Sequence, residues 1–322
     1  MSASPAELEA RLRRVLDERY HHRHPFNVRM HEGRLAPEEI RTWVRNRYYY
    51  QTRIPIKDGL ILAKSTDPAF RRGWVRRIRD HDGVREGTGG LELWLRLASA
   101  VGLDRAEVAS LRRVLPGVRA ACDDYVSFVE GHDLLESVAS SLTELAAGEI
   151  MKVRVAAFER HYAWVEREGL RYFLERTRQA PADAAEGMAF VVANARSAPD
   201  RDRAVAALER KCEILWRLLD AVDAASARPA LAPHAKLRRD PVGEGTLAVL
   251  PERAVRINET GREILGLCDG ARSAEAIAAE LAARHPDEEG AFAQVHAFLA
   301  EMARVGVVET ARLGVVGPAK PA

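Results

Sequence analysis

Polar residues recur at helical spacing beside aromatics in this chain. Arg47 and Gln51 stand at i and i+4, with Tyr48, Tyr49 and Tyr50 between them. Arg77 and His81 repeat the spacing beside Trp74, and Tyr172 and Arg176 repeat it again. Thr143, Glu144, Met151 and Arg154 share one long helical stretch, where 144, 151 and 154 fall near one stripe. Lys211 precedes Leu215 and Trp216 by one turn. Any one pair alone reads as a solvated face or a routine ion pair. The set predicts a helical interior that collects several Arg, a Lys, a Gln and Tyr hydroxyls. Such an interior suits a planar, multiply anionic ligand, because guanidinium forks pair carboxylates bidentately and aromatic rings stack on planar faces. The dense cluster His21-His22-Arg23-His24 reads as a metal site, a helix-end patch or a ligand pocket.

Other chemistries are missing from the motifs. There is no GxxxxGK[ST] phosphate loop and no GxSxG elbow. Gly243-Glu-Gly245-Thr-Leu-Ala248 loosely matches GxGxxA, but Pro251 follows where a dinucleotide fold needs a helix. Glu18 and His21 give a single ExxH spacing, and no second one exists, so the two ExxH motifs of di-iron bundles are absent. No metal is expected.

The 322 residues predict about two domains. At 47% hydrophobic the chain is too apolar for disorder. A formal charge of +2 argues against general nucleic-acid binding, which needs clustered cations. Forty-three of the 49 basic residues are Arg, which reads first as a genomic bias. Cys122, Cys212 and Cys268 are odd in number and far apart, which suits a reducing compartment. With no signal-peptide core and no uncharged apolar run of about 18 residues, a cytoplasmic protein without membrane contact is expected.

The elements that must position these side chains fall into two parts. All five Trp and all seven Tyr precede residue 217. Before about residue 225 helical stretches follow one another, over about 68–80, 91–101, 104–115, 118–130, 134–165, 169–197 and 200–223, with breaks at Pro55, Pro68, Gly87 to Gly90, Pro116, Gly169 and Pro199. This predicts an all-α bundle of about seven helices over 1–225. Residues 226–235, rich in Ala and Pro, read as a linker. Over 236–322, Val249-Leu250 and Ala254 to Ile257 predict a short β-ribbon. Asn258 and Ser273 are expected to cap helices, Pro286-Asp287 to open a third, and Gly306 to Thr310 to close the unit as a strand. This predicts a small winged-helix-like α+β domain. A frayed tail is expected from Gly314.

Several strings carry a family resemblance. Tyr20-His-His-Arg-His-Pro-Phe26, Asn46-Arg-Tyr-Tyr-Tyr-Gln51, Ile54-Pro-Ile-Lys-Asp58, Arg79-Asp-His-Asp-Gly83, Val114-Leu-Pro-Gly-Val118, Ser140-Ser-Leu-Thr-Glu-Leu145, His161-Tyr162 and Ile214-Leu-Trp216 occur in the order of the pyrroloquinoline-quinone synthases. Residues 5–224 resemble that family. Leu250-Pro-Glu252, Ile257-Asn-Glu-Thr-Gly261, Ile264-Leu265 and Asp269-Gly270 resemble the D protein of the same biosynthesis. The resemblance implies a haem-oxygenase-like bundle, usually a homodimer. It implies ring closure and O2-dependent oxidation of a bicyclic tricarboxylate quinone precursor, with release of H2O2 and with no cofactor, O2 being co-substrate. The C-terminal domain would hold a precursor peptide for an upstream radical enzyme.

By the same resemblance Tyr20, His21, Arg47, Tyr50, Gln51, Arg77, Tyr125, Thr143, Arg154 and Lys211 match substrate contacts. His81 matches the base, and a neutral imidazole can remove a proton near pH 7. Tyr172 and Arg176 match residues lining an oxygen site, and Glu144 is expected to partner an active-site cation. Met151 stands where the family carries His, and Glu186 where His is usual. Met donates neither a hydrogen bond nor a proton, so the oxygen-dependent steps are expected to be slowed or altered. Two other readings stay open: a diverged oxidase of another anionic substrate, and a non-catalytic binder. Net −2 after residue 230 disfavours DNA for the second domain, and a peptide strand added to a sheet edge fits better.

Overall fold

The computed structural model describes residues 5–241, 243, 245–285 and 290–311. The chain divides into two compact units, Met1–Asp220 and Ala221–Ala322. Helices begin where prolines and caps place them. After α1 (Pro5–Arg19), α2 (Pro25–His31), α3 (Pro37–Ala63) and α4 (Pro68–Asp82) each carry Pro in the first turn. There the missing N–H costs nothing and φ is already helical. Asp67 caps α4 by accepting from Ala69 N at 2.8 Å. Then come α5 (Gly90–Ala100), α6 (Arg105–Ala109), α7 (Pro116–Gly131), α8 (Leu134–Ser140), α9 (Glu144–His161), α10 (Arg171–Asn194) and α11 (Ala198–Ala225). The bundle thus has eleven α-helices among the described residues rather than about seven.

Three boundaries differ from expectation. Pro55 does not break α3, which runs on through Ala63. Packing of α3 on α4, α5 and α7 outweighs the one lost backbone bond. The stretch 104–115 is helical only to Ala109, and Leu111 takes a positive φ of 58°. The stretch 134–165 is split between α8 and α9. Ser140 Oγ and Ser141 Oγ both donate to the Ser137 carbonyl, at 2.8 and 3.4 Å, and this local competition with the helix ladder marks the break. The result turns Thr143 and Glu144 into the bundle at the head of α9. The core behind them is aromatic: Trp43, Trp94, Phe158 and Phe173 are at most 1% exposed, with neighbouring ring centroids 5.4 to 6.4 Å apart.

In the second unit, strands β1 (Arg228–Leu231), β2 (Lys236–Arg239), β3 (Thr246–Val249) and β4 (Ala254–Ile257) precede α12 (Glu259–Gly266), α13 (Ala274–Arg284) and α14 (Ala291–Arg304), and β5 (Val308–Ala311) closes it. Strands β2, β3 and β4 form one antiparallel sheet, and β1 pairs with β5 in another. The stretch 226–235 is therefore not a bare linker, since it contains β1. Pro229 is tolerated because a two-stranded sheet is all edge. Strand β2, with Lys, Leu and two Arg, has no alternation that announces it. Asn258 accepts from Gly261 N at 2.8 Å and Ser273 from Ala276 N at 3.1 Å, so both caps form. The expected helix start at Pro286-Asp287 and the tail from Gly314 lie outside the described residues. No described helix is long and apolar enough to cross a membrane.

Candidate active site

The polar pairs converge inside the bundle from α3, α4, α7, α9, α10 and α11. On α3, Gln51 Oε1 accepts from the Tyr172 hydroxyl of α10 at 2.9 Å. Arg47 folds back over the Tyr50 ring, 3.9 Å from its centre. The Lys211 amine of α11 lies 3.2 Å from the centre of the Tyr125 ring and 4.5 Å from that of Tyr50. It is 1% exposed and its Nζ has no hydrogen-bond partner. Burial, Lys57 and Arg47 together hold it well below the usual lysine range. Arg47 is central: its charge is felt at Tyr20, His21, Tyr50, Arg154, Tyr172 and Lys211.

A second arm holds Met151. Asn27 Nδ2 donates to His21 Nδ1 at 2.7 Å, so the His21 ring proton sits on Nε2. Asn27 Oδ1 in turn accepts from Arg154 Nη2 at 3.2 Å. Met151 Sδ packs 3.9 Å from Arg154 Nη1, and its residue is buried. Burial and the charge of Arg47 lower Arg154 to about 10, and its Nε has no partner. Tyr20 lies beside His21 with ring centroids 4.3 Å apart and planes tilted by 52°. Burial raises its phenol far above the ordinary value, so it stays protonated. The three clustered histidines diverge: His24 caps α2 and pairs with Asp220 at 3.1 Å, while His22 is partly exposed. Among the described residues no group of three His, Cys, Asp or Glu is arranged to hold a metal.

The third arm is acid–base chemistry. His81 Nδ1 lies 3.0 Å from the Arg77 carbonyl. A carbonyl only accepts, so Nδ1 carries the proton and Nε2 keeps its lone pair. Burial and the Arg176 charge push His81 down to about 4, so it is neutral at pH 7. Arg176 pairs with Glu144 and, at 3.5 Å, with Asp183. Glu144 is a quarter exposed; burial raises its carboxyl, but Arg176, Arg77 and Lys57 outweigh that and keep it below its usual range. Arg77 lies 3.9 Å over the Trp74 ring and donates to the Asp183 carbonyl at 2.5 Å, while its Nε makes no hydrogen bond and lies 4.0 Å from Asp183 Oδ1. His81, Tyr172 and Arg176 also line a cavity of about 380 Å³ with Gly90, Glu175 and Gln179. Thr143 is buried in the turn ahead of α9.

Glu186 sits apart from these arms. Its carboxylate meets Arg76 at 2.9 Å and is a third exposed. Lys57, Asp58, Asn27 and Asp183 were not among the residues expected at the site. Lys57 and Asp58 close the string Ile54-Pro-Ile-Lys-Asp58, which was the available signal for the first two. Asp183 follows Arg176 by seven residues, two turns along the same face.

The sequence profile of the TENA/THI-4/PQQC family matches residues 9–221, and that of coenzyme PQQ synthesis protein D (PqqD) matches residues 246–308. A pyrroloquinoline-quinone synthase of Gluconobacter oxydans is 45% identical over 232 residues, covering 72% of this chain and 97% of its own. One of Rhizobium meliloti is 48% identical over 224 residues, covering 70% and 88%. Among solved structures, a TenA homolog from Pseudomonas syringae pv. tomato aligns with a TM-score of 0.56 at 16% identity, covering 68% of this chain and 95% of its own. A domain with a haem oxygenase-like fold from Shewanella denitrificans aligns at 0.53 and 15% identity, covering 67% and 89%. The fold is therefore a haem-oxygenase-like bundle followed by a small domain of strands and helices. The chain belongs to the TENA/THI-4/PQQC family, as a bundle similar to pyrroloquinoline-quinone synthase joined to a PqqD domain.

Proposed function

We propose that the bundle closes the last ring of a bicyclic, amino-acid-derived tricarboxylate and oxidises it with O2 to pyrroloquinoline quinone, releasing H2O2. It does so as a cofactor-independent oxidase. One observation carries this reading: Arg77 Nε, Arg154 Nε and Lys211 Nζ are buried donors that make no hydrogen bond, and of these only Arg77 Nε has a carboxylate nearby, Asp183 at 4.0 Å. Three buried basic side chains whose donors make no hydrogen bond are costly unless anions complete them. A trianionic planar ligand supplies one carboxylate for each, while Tyr50 and Tyr125 offer ring faces.

In this reading His81 Nε2 is the base. A weak base of pKa about 4 is too acidic to work well at neutral pH. An anionic ligand beside it offsets the field of Arg176 and raises its proton affinity toward the useful range. Tyr172 and Arg176 stabilise reduced oxygen as charge develops, each O2 taking two electrons and two protons to leave as H2O2. Met151 adds no donor there, which favours a slow oxidative half of the reaction. The PqqD domain binds a precursor peptide that a radical enzyme modifies earlier, consistent with antiparallel strands that can accept an added one.

The test mixes the full chain with the bicyclic precursor without oxygen, then admits air and follows peroxide and product together. Native protein is expected to accumulate a reduced quinol and clear it slowly, and Met151→His to clear it faster. Identical traces for the two proteins would remove the role given to Met151. Absence of oxygen uptake in both would leave a binding protein instead of an oxidase.

A further inference from the structure

Lys57 and Asp58 are neighbours on α3, 4% and 1% exposed, and neither has a part in the reaction above. Asp58 Oδ1 takes two donors, Lys57 Nζ at 2.7 Å and Trp74 Nε1 at 2.9 Å. Each donor starts a chain. Trp74 carries the Arg77 guanidinium 3.9 Å above its ring. Lys57 donates onward to Ser141 Oγ at 3.0 Å, and that oxygen lies 3.4 Å from the Tyr125 hydroxyl. Tyr125 carries the Lys211 amine, 3.2 Å from its ring centre. One carboxylate therefore anchors two aromatic platforms, and each platform bears a basic side chain with a nitrogen that makes no hydrogen bond, Arg77 Nε or Lys211 Nζ.

A buried ion pair is a weak device for stability alone, since apolar side chains of similar volume serve as well or better. This one also leaves Asp58 Oδ2 buried without a partner, while both donors crowd onto Oδ1. What the arrangement secures is the placement of two rings. We infer that Lys57–Asp58 is a positioning pair for the anion site, fixing the Trp74 and Tyr125 platforms from which Arg77 and Lys211 address the ligand. The inference rests on the tricarboxylate reading above.

A consequence for pH follows. The groups that face Lys211 are Lys57, Arg47 and Tyr50 on α3, Cys122 and Tyr125 on α7, His21 ahead of α2, and Cys212 on its own helix. After burial itself, Lys57 weighs most against a charge on Lys211. Removing Lys57 should let Lys211 hold its proton to higher pH.

Full-length native protein, Lys57→Met, Lys57→Arg and the double variant Lys57→Met/Asp58→Asn are titrated with pyrroloquinoline quinone by tryptophan fluorescence, from about pH 6 to about pH 10. Native affinity is expected to fall as pH rises through the Lys211 ionisation. Lys57→Met should move that decline to higher pH and weaken binding about tenfold below it, because Ser141 and Tyr125 lose their anchor. Lys57→Arg should restore most of both. The double variant leaves no unpaired buried charge, so it reports the same displacement even if the single variant does not fold. Loss of affinity by one factor at every pH, or no loss, would mean a merely structural pair and overturn the inference. Native protein that fails to bind the quinone overturns the tricarboxylate reading and this inference with it. Native binding with variants that match it overturns this inference alone.

Discussion

Replacing Lys211 by Met should make the protein more stable and bind its ligand worse. The amine is 1% exposed and Nζ has no hydrogen-bond partner. Burying such a polar group unpaired costs about 1–3 kcal/mol. The rings of Tyr125 and Tyr50, at 3.2 and 4.5 Å, repay the charged form only. Burial, Lys57 and Arg47 disfavour that form. Methionine has similar length, no donor, and a thioether that packs well on aromatic faces. The net expectation is a gain of about 1–2 kcal/mol, or roughly 2–8 °C in Tm for a unit of this size. Binding of the tricarboxylate should weaken about 10- to 100-fold, the value of a charge-assisted contact. The assay is thermal and urea unfolding of native and Lys211→Met proteins at several pH values, with a ligand titration alongside. The sign of the pH dependence follows from linkage. Folded Lys211 ionises below the ordinary 10.5, so the unfolded chain binds the extra proton and native stability rises as pH approaches 10.5. The advantage of the variant should therefore be largest near neutrality and shrink toward that pH. A variant less stable than native by 1 kcal/mol or more, or an advantage that grows with pH, would refute the reasoning.

Two further outcomes follow from the same site. His81 ionises at about 4 in the folded protein against an ordinary 6.5, so the unfolded chain takes up the proton first as pH falls. Stability should decline between those two values by up to about 3 kcal/mol, and His81→Gln should flatten that part of the urea-derived profile. Glu144→Gln leaves Arg176 with Asp183 at 3.5 Å and Gln179 at 3.3 Å. Because the Glu144 side chain is a quarter exposed, the loss should be about 1–2 kcal/mol by chemical denaturation, less than for a fully buried broken pair; an unchanged midpoint would contradict the pairing.

Much of the local structure was legible in the residues. Pro68 and Pro116 fall at helix boundaries, where breaks were expected, and Asn258 and Ser273 cap helices of the second unit, because these effects act within one turn of chain. The i, i+4 pairs were legible for the same reason, since helix geometry alone puts them on one face. Where packing or a side-chain bond overrides the backbone's own preference, the reading failed. Pro55 looked like a break because its ring removes a backbone donor, but α3 continues through it, packed on three neighbouring helices. The serines at 137, 140 and 141 split one expected helix into two, through side chains that bond the backbone once it can bend.

The Arg excess shows where the division lies. Composition alone read it as genomic bias, and the spacing of Arg47, Arg77, Arg154 and Arg176 with Lys211 already marked a cationic interior that a net charge of +2 conceals. Only tertiary structure decided which of these cations are satisfied. Arg176 finds Glu144, 32 residues away, and Arg154 finds Asn27, 127 away, while Lys211 finds rings and no acceptor. Helical periodicity assigns a side chain to a face, but a hydrogen bond is made over about 3 Å between atoms that only packing brings together. The residues determined what kind of ligand the interior could hold, and the packing determined which donors were left free to hold it.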